Sequence, residues 1–313
     1  MAHPRKFRFG VQLSTAPTAE AWRDVAREVE GLGYATLFLP DHFGDQLAPV
    51  PAMMAAADAT TTLRVGTLVF DNDYKHPVVL AKEMATIDLL SGGRVEFGLG
   101  AGWMASDYDQ SGIAMDTPSV RIARMEEGLE VIRGLWADGA YSFQGSHYTI
   151  TGLDGLPKPV QKPGPPVLLG GGGPKVLGVA GRHADIVGVN PSIPAGEVGP
   201  DAARDAASDR VDQKLEWLRA GAGDRFDDLE LNALVFVVNV TDDPAPVREM
   251  VAGFFGVDQQ LVADSPYVWI GSAAEIAEHL RAARERWGFS YFVVQGTDAM
   301  HAVAPVVAEL AGT

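Results

Sequence analysis

Cysteine is absent from all 313 residues, which excludes disulfides, thiolate metal sites and nucleophilic cysteine catalysis. Basic charge is scarce: 25 lysines and arginines face 41 acidic residues, and the formal net charge of −16 opposes sequence-independent attraction to nucleic acid or anionic lipid. No stretch approaches the roughly 20 consecutive apolar residues of a membrane helix. The opening MAHPRKFRFGVQLS is basic but lacks the apolar run of a secretory signal. Metal-ligand patterns are missing too. No His-x-His follows the first strand, and His3, His42, His76, His147, His183, His279 and His301 are scattered without zinc-helix spacing, so no metal is expected. The expectation is a soluble cytoplasmic chain acting on a small molecule, with neither nucleic acid nor membrane as partner.

Apolar residues make up 47% of the chain, enough for a sizeable core, and recur as short runs each followed by a segment of helical period. FRFGVQLS (7–14) precedes a helix capped by Thr18, with Trp22, Val25, Val29 and Leu32 on one face and Gly33 as its stop. ATLFLP (35–40), LRVGTLVF (63–70) and RVEFGLG (94–100) repeat the unit. Pro77 opens and Gly92 and Gly93 close the third helix, and the fourth spans about 118–136. YSFQGSHYTI (141–150) alternates like an exposed hairpin, and the proline-rich LPKPVQKPGPP cannot be a central strand, so residues 139–165 read as an insertion. VLLGG, ADIVGVN, LNALVFVVNV and YFVVQG supply four more strands, with helices near 174–183, 201–221, 244–255, 273–288 and 299–311. Eight strand–helix units suit a closed parallel barrel or an open doubly wound sheet. Length and the even count favour an α/β fold of the (β/α)8 TIM-barrel type, with residues 1–313 as one domain.

In a barrel, chemistry sits on the loops after the strands' C-terminal ends. Strand 2 ends in PDHFGDQ, where His42 can pass a proton near neutral pH and a neighbouring carboxylate such as Asp41 can hold its tautomer; a purely structural histidine is the alternative. Strand 3 runs into the polar DNDYKHP, which also serves simply to end a strand. Strand 4 ends in GLGAGWMASDY, with Gly98, Gly100 and Gly102 in alternate positions. Glycine adds no packing to a strand, so another backbone or a ligand comes close there, with Trp103 able to close over it. A lone GxGxG also marks ordinary tight turns, and no acidic residue ends a strand about twenty positions on, as a Rossmann fingerprint requires. After strand 5, Gly171, Gly172 and Gly173 lead into Pro174 and can aim N–H groups at a phosphate from a helix N-terminus; a flexible turn is the alternative. The common barrel phosphate site follows strands 7 and 8, so an ordinary phosphosugar enzyme fits less well.

Together, GYATLFLPDHF, LRVGTLV, HPVVLAKEMATIDLLSGGRVEFGLGAGW, RMEEGLEVIRGLW and PPVLLGGGGPKVLGVAGRHADIVG, spanning about residues 7–190 in order, resemble the luciferase-like monooxygenase family. The resemblance implies a barrel that binds FMN or its 5-deaza relative, coenzyme F420, and that is mostly dimeric. It implies that Gly100, Ala101, Gly102 and Trp103 approach the cofactor from one side and Gly171–Gly173 hold its phosphate from the other. It also implies a non-proline cis peptide at Leu68–Val69 under the ring. His42 matches the acid/base histidine of the deazaflavin-dependent dehydrogenases, with Asp41 beside the cofactor. The expected activity is hydride transfer between F420 and a small organic substrate; an FMN-dependent monooxygenase using reduced flavin and oxygen is the second reading, and a non-catalytic flavin-binding protein the third. Trp103 and Gln46 stand where the family's sugar-phosphate dehydrogenases carry glutamate and tryptophan, and VNPSIPAGE after strand 6 has no basic residue, which argues for an uncharged or weakly polar substrate.

Overall fold

A computed structural model describes residues 5–193, 196 and 199–313. Eight parallel strands close into a barrel: β1 (Arg8–Gln12), β2 (Thr36–Leu39), β3 (Arg64–Thr67), β4 (Val95–Gly100), β5 (Val167–Gly171), β6 (Ile186–Val189), β7 (Glu230–Leu234) and β8 (Phe289–Gln295). β1 pairs with both β2 and β8, and Val65 opposite Val95 joins β3 to β4. The doubly wound alternative is thereby excluded. Helices follow the strands and bury one face against them, as in the helix Ala19–Gly31, whose Trp22, Ala26 and Val29 are buried and whose N-cap Thr18 accepts from Ala21 N–H at 3.1 Å. Among the described residues no helix is long and apolar enough to cross a membrane.

Aromatic and branched side chains fill the barrel's interior: Phe38, Leu68, Leu168, Ile186, Tyr291 and Val293 form one buried cluster. Phe38 is admitted by glycines on both neighbouring strands, since a Cβ at Gly10 or at Gly66 would stand 3.0 Å from its ring. The N-terminal end of the barrel is closed by charge. Arg8 pairs with Glu96 and, at 2.7 Å, with Glu230, while its guanidinium lies over the Tyr291 ring. Arg64 and the Tyr291 hydroxyl also donate to Glu96, at 2.7 and 3.0 Å. Burial pushes the Glu230 carboxyl up, and Arg8 opposes that shift.

Three expectations need correcting. LNALVFVVNV is not one strand: after Leu234 the chain leaves the barrel, and Val237–Val240 pairs in parallel with Val268–Gly271, a strand the sequence reading missed. Between them lie the helices Pro244–Phe255 and Gln259–Asp264, which pack Val251, Ala252, Val262 and Ile270 into a small core of their own. The helix placed at 201–221 is two, Pro200–Arg204 and Ser208–Ala222, because Asp205 turns inward to meet Ser192 N–H and Lys214 at 2.7 Å each. The helix placed at 299–311 is also two, Gly296–Ala302 and Ala304–Leu310, with Pro305 in the first turn of the second. The hairpin appears as Ala140–Gln144 paired with Thr149–Asp154, and its tip is held where Glu127 accepts from Ser146, His147 and Tyr148 N–H.

Candidate active site

Because all eight strands are parallel, Asp41, His42, Leu68, Val69, Gly100–Trp103 and Gly171–Gly173 all lie at or just past strand ends on the C-terminal rim. Of the segment VNPSIPAGE noted above, residues 194, 195 and 197 lie outside the described residues, as does residue 198 just beyond it.

His42 is not held by Asp41. Its Nδ1 lies 2.6 Å from Oδ2 of Asp107, on a short helix, Ala105–Ser111, that the sequence reading passed over. The same oxygen accepts the Tyr74 hydroxyl at 3.0 Å, and Oδ1 accepts Phe43 N–H at 3.4 Å. A carboxylate already accepting two bonds makes Nδ1 the donor, which leaves Nε2 as the nitrogen free to exchange a proton. Trp103 meets the His42 ring edge-on, with centroids 5.5 Å apart. Asp41 instead accepts Asp71 N–H at 3.2 Å, and burial pushes its carboxyl up against the pull of that bond, Lys75 and His42.

Below this pair lies a second layer. The Tyr108 hydroxyl sits 2.9 Å from Asp71 and 3.0 Å from Asp73, and Arg124 clamps Asp73 through two bonds of 2.8 and 2.9 Å. Burial is the main cause that pushes Asp71 up to about 6, with the Asp73 and Asp41 charges adding to it. Asp107 and Tyr108 are adjacent, so one turn of helix tethers the loops after β2 and β3 together. The signal that would have found it is the glycine pair ahead of ASDYDQSG, where Gly112 stops the helix with φ +75°.

The Leu68–Val69 peptide is cis, and Gln12 donates to the Leu68 carbonyl at 2.7 Å. The bond lies between β3 and the two-residue strand Phe70–Asp71, which pairs with Leu99 and Gly100 of β4. The glycines of GLGAGW are explained largely by this neighbour. A Cβ at Gly98 would lie 1.8 Å from the Thr67 carbonyl oxygen, at Gly100 2.5 Å from a Val69 methyl, and at Gly102, with φ +77°, 1.9 Å from the Tyr108 hydroxyl. Close approach of another backbone, one of the two expectations, accounts for Gly98, and the side chains of Val69 and Tyr108 account for Gly100 and Gly102, so no ligand is needed to explain the three. Arg121 holds the turn from outside by donating to the Ala101 and Gly102 carbonyls at 3.0 and 3.3 Å.

The glycines after β5 divide differently. A Cβ at Gly171 would strike Val176 and one at Gly172 the backbone of residues 190–192, whereas Gly173 has nothing within 4 Å. Gly173 is the N-cap of the helix Pro174–His183, and no side chain caps that end. The first amides of this helix are the open, electropositive feature of the loop. Lys175 stands beside them, bonded to Ser119 Oγ at 2.8 Å. Gln46 leaves its Oε1 buried with no donor among the described residues.

A closed parallel barrel with a histidine–carboxylate pair and an open helix N-terminus on its C-terminal rim defines a class of barrel enzymes with the reaction centre at that end. The chain belongs to the luciferase-like monooxygenase family, whose sequence model matches residues 5–286. It is 29% identical over 211 residues to an F420-dependent glucose-6-phosphate dehydrogenase of Amycolatopsis mediterranei, covering 62% of each chain. It is 30% identical over 203 residues to an FMNH2-dependent dimethylsulfone monooxygenase of Pseudomonas putida, covering 59% of this chain and 56% of that one. The chain thus spans about six-tenths of the length of the curated relatives it matches. The fold is shared with the coenzyme F420-dependent tetrahydromethanopterin reductase of Methanopyrus kandleri, with a TM-score of 0.74, 20% identity, and 98% of this chain and 99% of that one covered.

Proposed function

We propose that this protein is an F420-dependent oxidoreductase in which His42 exchanges the proton on the substrate heteroatom through Nε2, held in that tautomer by Asp107. The observation that carries the reading is the 2.6 Å contact between His42 and Asp107, on the rim that also bears the Leu68–Val69 cis peptide. The open N-terminus at Gly173 fits a phosphate, and Val69 and Trp103, both only partly buried, fit the two sides of a flat ring. When bound, the cofactor supplies or accepts the hydride; the chain's own residues orient it and move the proton. Asp41, its carboxyl pushed up by burial, stands beside His42 as a bond acceptor from the Asp71 amide rather than as the residue that sets its tautomer. The second reading is an FMN-dependent monooxygenase, favoured by the relative named for FMNH2.

In the proposed state the 313 residues are one barrel domain that assembles as a homodimer. The helix Pro77–Ser91 supports this by exposing Val79, Leu89 and Leu90. The deciding experiment is a parallel titration of the apoprotein with F420 and FMN, oxidised and reduced, at one ionic strength. Preferential binding of the deazaflavin is expected. Preference for reduced FMN would replace hydride transfer by oxygen chemistry, and binding of neither would remove the phosphate role of Gly173.

A further inference from the structure

Phe43 follows His42 and yet is 52% exposed. A phenylalanine left half in water forgoes much of the gain of burying its ring, so its presence there needs a reason. The ring is not loose. Its underside lies on Tyr74, with centroids 4.4 Å apart, and its backbone N–H is bonded to Asp107, the carboxylate that also holds Tyr74 and His42. On the other side of His42 stands Trp103, and the rim after β7 shows Phe236, 37% exposed.

The cations around this shelf are committed. Lys75 pairs with Glu83 at 2.9 Å, Arg121 donates to three backbone carbonyls, and Arg124 is divided between Asp73 and Asp116. Asp41, Asp71 and Asp107 supply negative charge on the same side. An anion brought here would lose water, find Lys75, Arg121 and Arg124 among the described residues already engaged, and face carboxylates, a combination that low local dielectric makes costly.

We infer that the rim beside His42 takes an uncharged substrate with an apolar body laid across Phe43 and Trp103, its reacting heteroatom at Nε2 of His42. The inference rests on the proposed site but not on which cofactor fills it. It also makes Phe43 a specificity-determining residue, since it is the ring that an apolar body would cover.

The test needs no cofactor, so its outcome is separate from that of the F420 and FMN titration. The protein is titrated with N-phenyl-1-naphthylamine, an uncharged fluorophore, and with 8-anilinonaphthalene-1-sulfonate, the same skeleton carrying an anion. The uncharged probe should bind at least tenfold more tightly. Phe43→Ser should weaken it at least fivefold, and Phe43→Lys should reverse the preference in favour of the sulfonate. Phe254→Ser is the control for the other exposed apolar surface, where Phe254 is 81% exposed and Met250 64%, and should change neither affinity. Equal affinity for the two probes, or loss of binding with Phe254→Ser while Phe43→Ser binds normally, would overturn the inference.

Discussion

His42 and Asp107 lie 65 positions apart in sequence and meet at 2.6 Å, so under the proposed mechanism their variants separate chemistry from binding. His42→Ala removes the group proposed to exchange the proton. It should keep cofactor affinity within a factor of two and lower turnover by about 10²–10⁴, the usual size of an acid–base contribution. Asp107→Asn should also lower turnover, by at least tenfold, because an amide presents either a donor or a weaker acceptor to Nδ1 and no longer fixes the tautomer. The double variant should be little worse than His42→Ala alone, since the carboxylate acts through the imidazole. Steady-state turnover with cofactor binding measured in parallel checks all three; full activity in Asp107→Asn would leave the carboxylate a structural tether only.

The turn between the helix ending at Ala59 and strand β3 is fastened by one side chain of another helix. Oε1 of Glu30 accepts the Thr61, Thr62 and Leu63 amides at 2.9, 2.6 and 2.9 Å, as well as two threonine hydroxyls. These bonds take its carboxyl down to about 2 even though burial pushes the other way. A carboxyl lowered on folding stabilises the fold fully above its unfolded value, near 4.3, and loses that contribution as pH falls through about 2. Glu30 is open to water, so screening reduces the effect, and Glu30→Gln should cost about 1 kcal/mol at pH 7. Urea midpoints of the two proteins should converge between pH 4 and pH 2; a gap that widens toward acid would contradict the sign. At this scale the sequence was most legible. Runs such as VLLGG (167–171) have one periodicity and one place to go, and the helix Pro118–Trp136 has both ends marked. Legibility failed where the signal was not local. LNALVFVVNV is uniformly apolar, and nothing within it says that Val237–Val240 finds its partner at Val268–Gly271. The candidate site divided in the same way: His42, Gly173 and the Leu68–Val69 bond could be placed at strand ends, but Asp107 becomes a partner of His42 only once two loops are folded against each other.

The barrel's two ends do different work, and the whole molecule can be tested on that division. At the N-terminal end Glu96 is 1% exposed and joins Arg8, Arg64 and the Tyr291 hydroxyl across four strands. Replacing it by glutamine leaves Arg64 without a carboxylate and Arg8 with Glu230 alone, and breaking a buried pair costs about 3–5 kcal/mol, reduced here because Arg8 keeps that partner and both arginines are partly hydrated. Glu96→Gln should therefore lower the urea midpoint by an amount worth about 2–4 kcal/mol while cofactor affinity stays as it was. At the C-terminal end Gly173→Asp enters open space at an N-cap, a position where aspartate satisfies helix amides, so stability should hold or rise by a few tenths of a kcal/mol. The same carboxylate would stand where the cofactor phosphate is proposed to bind and should then weaken cofactor affinity at least tenfold by charge repulsion. Gly172→Asp would not serve, because its Cβ would meet the Ser192 amide nitrogen at 2.4 Å and would confound folding with binding. The two sites are separated by about one strand length, roughly 15 Å, beyond the range at which mutational effects usually couple. The double variant should accordingly show the sum: the stability loss of the first with the binding loss of the second. Coupling of more than about 0.5 kcal/mol between them, read from denaturation with and without cofactor, would mean that the charged plug and the rim communicate through the barrel and that the division does not hold.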